Sequence, residues 1–405
     1  MRYVLITWLP FSQTEKGLYK IDIDGWYWDL KAHLEQFHDL HVFAPMKTDL
    51  LPDSSDITNT FSPDEIKFHP LPYFENQKQF ILKLPKIVSI IAREIHRDDI
   101  IHNTATAVPP LGLITNFICL MKGYKKRLLI FDADFISDLE LYNRTADNFL
   151  SKAFYLLLKQ VYSPLFKFSI KNTPLVLVGG ENLLDRYKYE GKVIRYKTSW
   201  VKKKDIISKS QLERKIEYSL KDGFNLCFAA TLIPKKNPVC AIEAVKILKE
   251  RGIPCKLNIL PIPFKGDTLD EELKELIKKY NLADIVKIWG IVPYGEPFYN
   301  ALREHDAILV PNLSGEEPRI IYDAMANGTV VIGSNLKGFS IISTNQNGIL
   351  CDPTDPKCFA DAVEKLYKNK DLLKKIVLNG LNTMEINTIE NMHESRKKYI
   401  IETLI

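Results

Sequence analysis

Residues 224–381 repeat one pattern that leaves few folds open: a short, continuous apolar run followed by an amphipathic stretch. "FNLCFAATL" has strand length, and in the following "PKKNPVCAIEAVKILKERG" the residues Ala241, Ala244, Val245 and Leu248 fall on one helical face, with Gly252 as the stop. "CKLNILPI", "DIVKIWGIV", "DAILVPN", "TVVIGSN" and "NGILCD" read as further strands. Between them lie the helical segments "LDEELKELIKKYNL", "PFYNALREH" and "PRIIYDAMANG", and "PKCFADAVEKLYK" and "KDLLKKIVLNGL" follow. Apolar strands alternating with amphipathic helices predict a parallel sheet covered on both faces. Such sheets bind ligands outside the carboxyl ends of their strands. Function is therefore expected in the loops after Ala230, Trp289, Val310 and Ile332.

The first half alternates less cleanly. "RYVLITW", "LHVFAP", "DDIIHN", "RLLIFD" and "PLVLVGG" are expected strands, and "GWYWDLKAHLEQF" and "PKIVSIIAREI" expected helices. At 405 residues, two domains are expected. We place them at residues 1–205 and 206–385, with 386–405 a C-terminal helix packing back toward the N-terminal domain. The net charge of +5 is spread along the chain, which argues against nucleic-acid binding. The six cysteines form no C-x-x-C pair, so buried thiols in a cytoplasmic protein are expected. No stretch has the length of a membrane span, and "MRYVLITWLPF" reads as a first buried strand rather than a secretion signal.

The most informative loop is "VPNLSGEEPRIIYDAMANG". It predicts a helix whose first turn holds Glu316, Glu317 and Pro318, with Asp323 two turns on and on a similar face. Amide groups at such a helix start suit an anion, and a carboxylate at Asp323 suits two vicinal ribose hydroxyls. A surface pair between Arg319 and Asp323 is the plain alternative.

"SGEEPRIIYDAMANGTVVIGSN" resembles the donor-site signature of retaining GT-B glycosyltransferases of the family-4 type (glycosyl transferases group 1), "EGxxxxxxEAMAxGxPVI". The resemblance gives Asp323 the ribose role. Register from Asp323 puts Gly315 at the first acidic position, so either Glu316 fills it through a one-residue shift or the sugar contacts differ, and Glu316 is preferred. "FAATLIPKKNPVCAIEA" resembles the family's "FVGRLxxxKGxxxLIEA", whose arginine and lysine neutralise the donor diphosphate. Lys236 matches the lysine, and Thr231 stands at the arginine position, where a hydroxyl lacks the bidentate phosphate pairing. Lys235 or Arg319 is the expected substitute.

"LADIVKIWGIVPYGEPFYNAL" resembles the family's "LadrVxFxGfVPxeelpxly", which puts backbone near Val292 against the nucleotide base; the family's "GxG" after the third strand is replaced by "LPIPFKG". The N-terminal half is similar more loosely. Gly17 or Gly25 would let backbone approach the donor phosphate, His102 follows a strand, and Asp132 and Asp134 in "DADF" lie where the family often has a sugar-contacting histidine. Basic and aromatic residues in "NFLSKAFYLLLKQVYSPLFKFSIKN" suit either core packing or an anionic membrane surface.

The resemblance implies an α/β protein of GT-B architecture, two Rossmann-like domains with parallel sheets facing a central cleft. It implies a cytoplasmic hexosyltransferase, either free or peripheral on the inner membrane face. The donor would be a nucleoside diphosphate sugar and the acceptor a saccharide or lipid-linked saccharide, in surface polysaccharide or glycolipid synthesis, with no metal and no other cofactor. Lys236, Glu316 and Asp134 would be catalytic, and Asp323, Glu317, Arg319, Thr231, Lys235, Val292, Gly17, Asp132 and His102 would bind substrate. The alternatives are a catalytically decayed GT-B binding or scaffold protein and a GT-B nucleotide-sugar epimerase.

Overall fold

The computed structural model describes residues 1–52, 58–105, 109–146, 148–220, 223–263 and 268–405, without the Tyr218 side chain. The chain divides into two compact units, 1–198 with 390–405, and 199–389. The first division falls before the expected 205/206 because the connecting segment belongs to the second unit. There Val201 is fully buried in a core cluster, and its carbonyl accepts from Ile389 N at 2.8 Å.

The first unit holds β1 (Arg2–Ile6), β2 (Phe11–Thr14), β3 (Tyr19–Ile21), β4 (Asp39–Leu51), β5 (Thr60–Phe61), β6 (Lys67–Pro72), β7 (Ile100–Thr104), β8 (Arg127–Phe131), β9 (Leu175–Gly179) and β10 (Val193–Tyr196). They form one sheet in the order β10-β9-β8-β7-β1-β4-β2-β3-β5, with β6 also on β4. Its core strands are parallel; β3 runs antiparallel to β2 and β5. The helix expected from Pro85 starts earlier and spans Gln77–Glu94, because Asn76 caps it by accepting from Gln79 N at 3.0 Å and Pro85 is accommodated in its interior.

The C-terminal helix Ile389–Leu404 packs within this unit through a buried polar cluster. His393 Nε2 lies 2.9 Å from Asp29 Oδ1, and Arg396 Nη1 lies 2.9 Å from His33 Nε2. His33 Nδ1 meets the Asp29 carbonyl at 2.8 Å, so its partners describe a neutral ring that accepts from Arg396, and burial likewise lowers its pKa. Asp29, His33 and His393 are close enough to share a metal ion, but Arg396 already supplies their cation.

The second unit holds β11 (Phe224–Ala230), β12 (Cys255–Pro261), β13 (Val286–Ile288), β14 (Ala307–Val310), β15 (Val330–Ser334) and β16 (Ile349–Cys351). They form an all-parallel sheet in the order β13-β12-β11-β14-β15-β16. One face carries the helices Pro238–Glu250 and Pro356–Lys368 on a core that includes Phe228, Ala241, Val245, Leu248 and Phe359. The other packs Phe298, Leu302, Ile321 and Met325. All six cysteines are free thiols.

Candidate functional site

The second sheet reverses its strand order at β11: β12 lies on one side and β14 on the other. Loops leaving β11 and β14 thus diverge to opposite faces and leave a crevice at their carboxyl ends. From β11 the chain passes Thr231 into a short 3-10 turn, Pro234–Lys236, and then Asn237 in a left-handed conformation with φ 53°. Two hydrogen bonds fix this loop. Leu313 N, in the loop after β14, donates to Lys235 O at 2.8 Å, and Asn237 Nδ2 donates to Pro353 O at 2.8 Å.

This register brings Lys235, Lys236 and Glu316 together. Lys236 Nζ donates to Glu316 Oε1, and Lys235 Nζ is 3.5 Å from Glu316 Oε2. Burial opposes ionisation of Glu316, but the two ammonium groups outweigh it and hold its pKa down to about 2. The cluster therefore carries two positive charges and one negative, a net positive charge at the carboxyl ends of the strands. Of the two groups expected to stand in for the missing arginine, Lys235 is beside Lys236, whereas the Arg319 guanidinium lies over the Trp200 ring, 3.9 Å from its centroid.

The helix expected to begin at Glu316 starts later. The helix spans only Ile320–Ala326 with Arg319 as its N-cap, so Glu316 and Glu317 precede it rather than occupy its first turn. Their side chains are drawn elsewhere, Glu316 to the lysines and Glu317 to the Tyr322 hydroxyl, which donates to it. Gly338 packs against this loop so closely that a Cβ there would collide with the carbonyl oxygens of Gly315 and Glu316. Buried in the same loop, Asn312 Nδ2 and Ser314 Oγ have no hydrogen-bond partner among the described residues.

Asp323 is buried, so it is no surface partner for Arg319. Its Oδ1 accepts from the Tyr294 hydroxyl at 2.9 Å, and Tyr299 in turn donates to Tyr294 at 3.3 Å. Burial raises the Asp323 pKa to about 7, against the lowering effects of Tyr294 and Arg319. The Tyr294 ring also meets Trp200 edge-on, 6.2 Å between centroids. Sequence reading missed Trp200, Tyr294 and Gly338. Tyr294 stood two residues from Val292 in a segment already singled out, whereas Trp200 is too distant in sequence for any spacing to reveal it. Val292 itself is half-buried against the core, and Thr231 is half-buried at the strand end.

In the first unit the expected site residues have structural partners. Asp134 caps the helix Phe135–Thr145, accepting from Ser137 N at 3.0 Å and Ser137 Oγ at 2.7 Å; Asn182 donates to it as well, and Arg186 Nε lies 3.5 Å away. Asp132 accepts from the Tyr196 hydroxyl. His102 lies inside β7 rather than after it, buried, with Nδ1 2.9 Å from the Tyr3 hydroxyl; burial holds its pKa down to about 3. Gly17, at φ +81°, turns the β2–β3 hairpin, and Gly25 lies within the helix Asp24–Gln36, so neither forms the expected loop ahead of a helix. The "LPIPFKG" replacement of the family's glycines spans 260–266, and its residues 264–266 lie outside the described residues.

Two Rossmann-like halves, with a lysine–glutamate cluster at the switch point of the second, define an α/β protein of doubly wound, two-unit architecture. Residues 209–383 match the family model of Glycosyl transferases group 1. The second unit is thus a group 1 glycosyl transferase domain, and the protein is a transferase enzyme of GT-B fold. Among curated relatives, Protein CapJ of Staphylococcus aureus is 22% identical over 99% of this chain and 95% of its own length. UDP-Gal:alpha-D-GlcNAc-diphosphoundecaprenol alpha-1,3-galactosyltransferase of Escherichia coli is 25% identical over 46% of this chain, which spans 49% of that enzyme. Among solved structures, sucrose-phosphate synthase from Thermosynechococcus elongatus superposes with a TM-score of 0.72 at 16% identity, covering 99% of this chain and 98% of its own. HepE of Anabaena in complex with UDP-glucose gives 0.63 at 13%, covering 100% and 99%.

Proposed function

We propose that this protein transfers a hexose, with retention, from a nucleoside diphosphate sugar to a hydroxyl of a saccharide or lipid-linked saccharide during surface polysaccharide or glycolipid synthesis. The observation that carries the reading is the meeting of Lys235 and Lys236 at Glu316 on the switch-point crevice. A UDP-glucose complex among the similar folds and a diphosphoundecaprenol-directed relative support the donor and acceptor classes.

In the proposed reaction the acceptor oxygen forms a bond to the anomeric carbon as the bond from that carbon to the donor phosphate breaks. The departing diphosphate keeps the electron pair and takes the acceptor proton. Its growing charge is what Lys236, with Lys235 in the place of the absent arginine, stabilises without a metal ion. Glu316, held ionised by both lysines, is the sugar-side group, and Asp323 accepts from the ribose hydroxyls. Thr231 favours a second reading, a binding protein with a decayed site, and Lys235 weighs against it by restoring the second cation.

A thermal-shift screen across UDP-, GDP-, ADP- and dTDP-sugars tests the donor reading. A bound donor at 100 times its Kd stabilises the native state by about 2.7 kcal/mol. A rise in Tm followed by sugar transfer, with the product anomer assigned by NMR, supports the proposal. No response to any nucleotide sugar sinks it, and binding without turnover favours the decayed site.

A further inference from the structure

The helix Phe149–Lys171 is apolar on two sides. Its inner side, with Tyr155, Leu158, Tyr162, Phe166 and Ile170, packs on the core of the first unit. Its outer side presents Leu150, Phe154, Leu157, Val161, Leu165 and Phe168, all exposed and spaced three or four residues apart, so they form one stripe along the helix. Phe149 and Leu156 widen it, and the two residues at the helix start, Phe149 and Leu150, are 81% and 79% exposed. The stripe continues onto the helix Leu111–Met121, where Phe117 meets Phe168 at 6.5 Å and Met121 is 72% exposed. A contiguous apolar face of this kind marks an interaction surface.

Its charges say what the surface fits. The helix contains four lysines and neither aspartate nor glutamate. Lys159 and Lys167 pair with Glu140 and Glu190 of the same unit, while Lys152 and Lys171 stay exposed on the helix, and Lys122 and Lys125 follow the neighbouring helix. A surface pocket of about 240 Å³ beside the stripe is lined by Arg144 and Asn143, by the Lys159–Glu140 pair and by Leu156. Apolar side chains rimmed by cations suit a helix lying in the plane of an anionic bilayer, not across it. A second copy fits poorly, because a twofold contact would set one basic face against another.

We infer that the outer face of Phe149–Lys171, with Phe117 and Met121, seats the first unit on an anionic phospholipid surface. The purpose of this contact rests on the proposed lipid-linked acceptor. Binding to vesicles that contain neither donor nor acceptor tests it separately, so either reading can fail alone.

The experiment is sedimentation of the full chain with vesicles of phosphatidylcholine, alone or mixed with phosphatidylglycerol. Binding to the mixed vesicles is expected. The triple variant Leu150→Ser/Leu157→Ser/Val161→Ser, which alters exposed positions only, should lose about tenfold or more in partition with unchanged circular dichroism and Tm. The pair Lys152→Glu/Lys171→Glu should lose about tenfold on mixed vesicles and nothing on phosphatidylcholine alone; it remains decisive if the triple variant misfolds. A wild-type chain that stays in the supernatant overturns the inference. So does unchanged binding by both variants, or a dimer in sedimentation velocity that the triple variant dissociates.

Discussion

The two sheets follow one plan, yet the polar groups at their strand ends are committed differently. In the second unit Lys235 and Lys236 reach across from the loop after β11 to one carboxylate in the loop after β14, so two cations share a single anion. In the first unit Asp134 turns back on its own helix and on Asn182 and Arg186, while His102 is buried against Tyr3. A carboxylate that caps a helix has its oxygens occupied by donors needed for folding. The ion pairs between the two loops at the switch point instead join charges that a ligand's own charges could exchange with. The comparison supports the chemistry proposed for the second sheet, and it gives Asp134 and His102 partners within the fold of the first.

The largest effect that bears on this contrast is expected from Lys236→Ala. If Lys236 stabilises the departing diphosphate as proposed, its loss should lower turnover about 10²–10³-fold, as measured by steady-state sugar transfer. Unchanged kinetics would detach the lysine from the reaction. Next is Asp323→Ala, which should weaken donor affinity about tenfold to a hundredfold in calorimetric titration. An unaltered Kd would remove the ribose contact. Smaller again is Asp134→Ala, which should cost about 1–2 kcal/mol of stability in denaturant unfolding, the worth of a lost helix cap. Turnover per folded molecule should stay the same. A fall in turnover with stability intact would restore Asp134 to the active site and break the contrast.

The contrast also shows what the amino-acid pattern reveals. The strands of the second sheet were legible because each is a buried apolar run bounded by an amphipathic helix, and that periodicity depends only on neighbours in sequence. Lys236 and Asp323 were legible through the resemblance of their loops to the family's motifs, and both lie in loops or helices at the carboxyl ends of β11 and β14. The conformation around Glu316 was not legible. Acidic residues before a proline resemble a helix start, but here the side chains are claimed by Lys235, Lys236 and Tyr322, and the helix waits until Ile320. The same local signal misled at Pro85, where packing of Phe80, Ile87 and Ile91 and the Asn76 cap carry the helix through a residue that usually opens one. Asp134 read as a strand-end acid because its acceptors' partners, Asn182 and Arg186, lie far along the chain.

The smallest effect is the most discriminating for the Asp323 group. Its pKa of about 7 arises from burial, and the Tyr294 hydroxyl works against that rise by bonding the ionised form. If the carboxylate is the form that accepts ribose hydroxyls, donor Kd should tighten as pH rises through 7 and level off above it. Stability moves the other way. A folded pKa above the ordinary 3.8 means the native state holds the extra proton between those values, so this group's contribution is full in acid and is lost as pH rises toward 7. Tyr294→Phe removes the bond to the ionised form and should move the midpoint of the Kd profile upward, a change of about twofold in Kd at neutral pH. A flat profile would show that protonation of Asp323 does not control donor binding. A midpoint that moves downward would show that Tyr294 bonds the protonated acid instead, and the ribose role would pass from the carboxylate to the hydroxyl pair of Tyr294 and Tyr299.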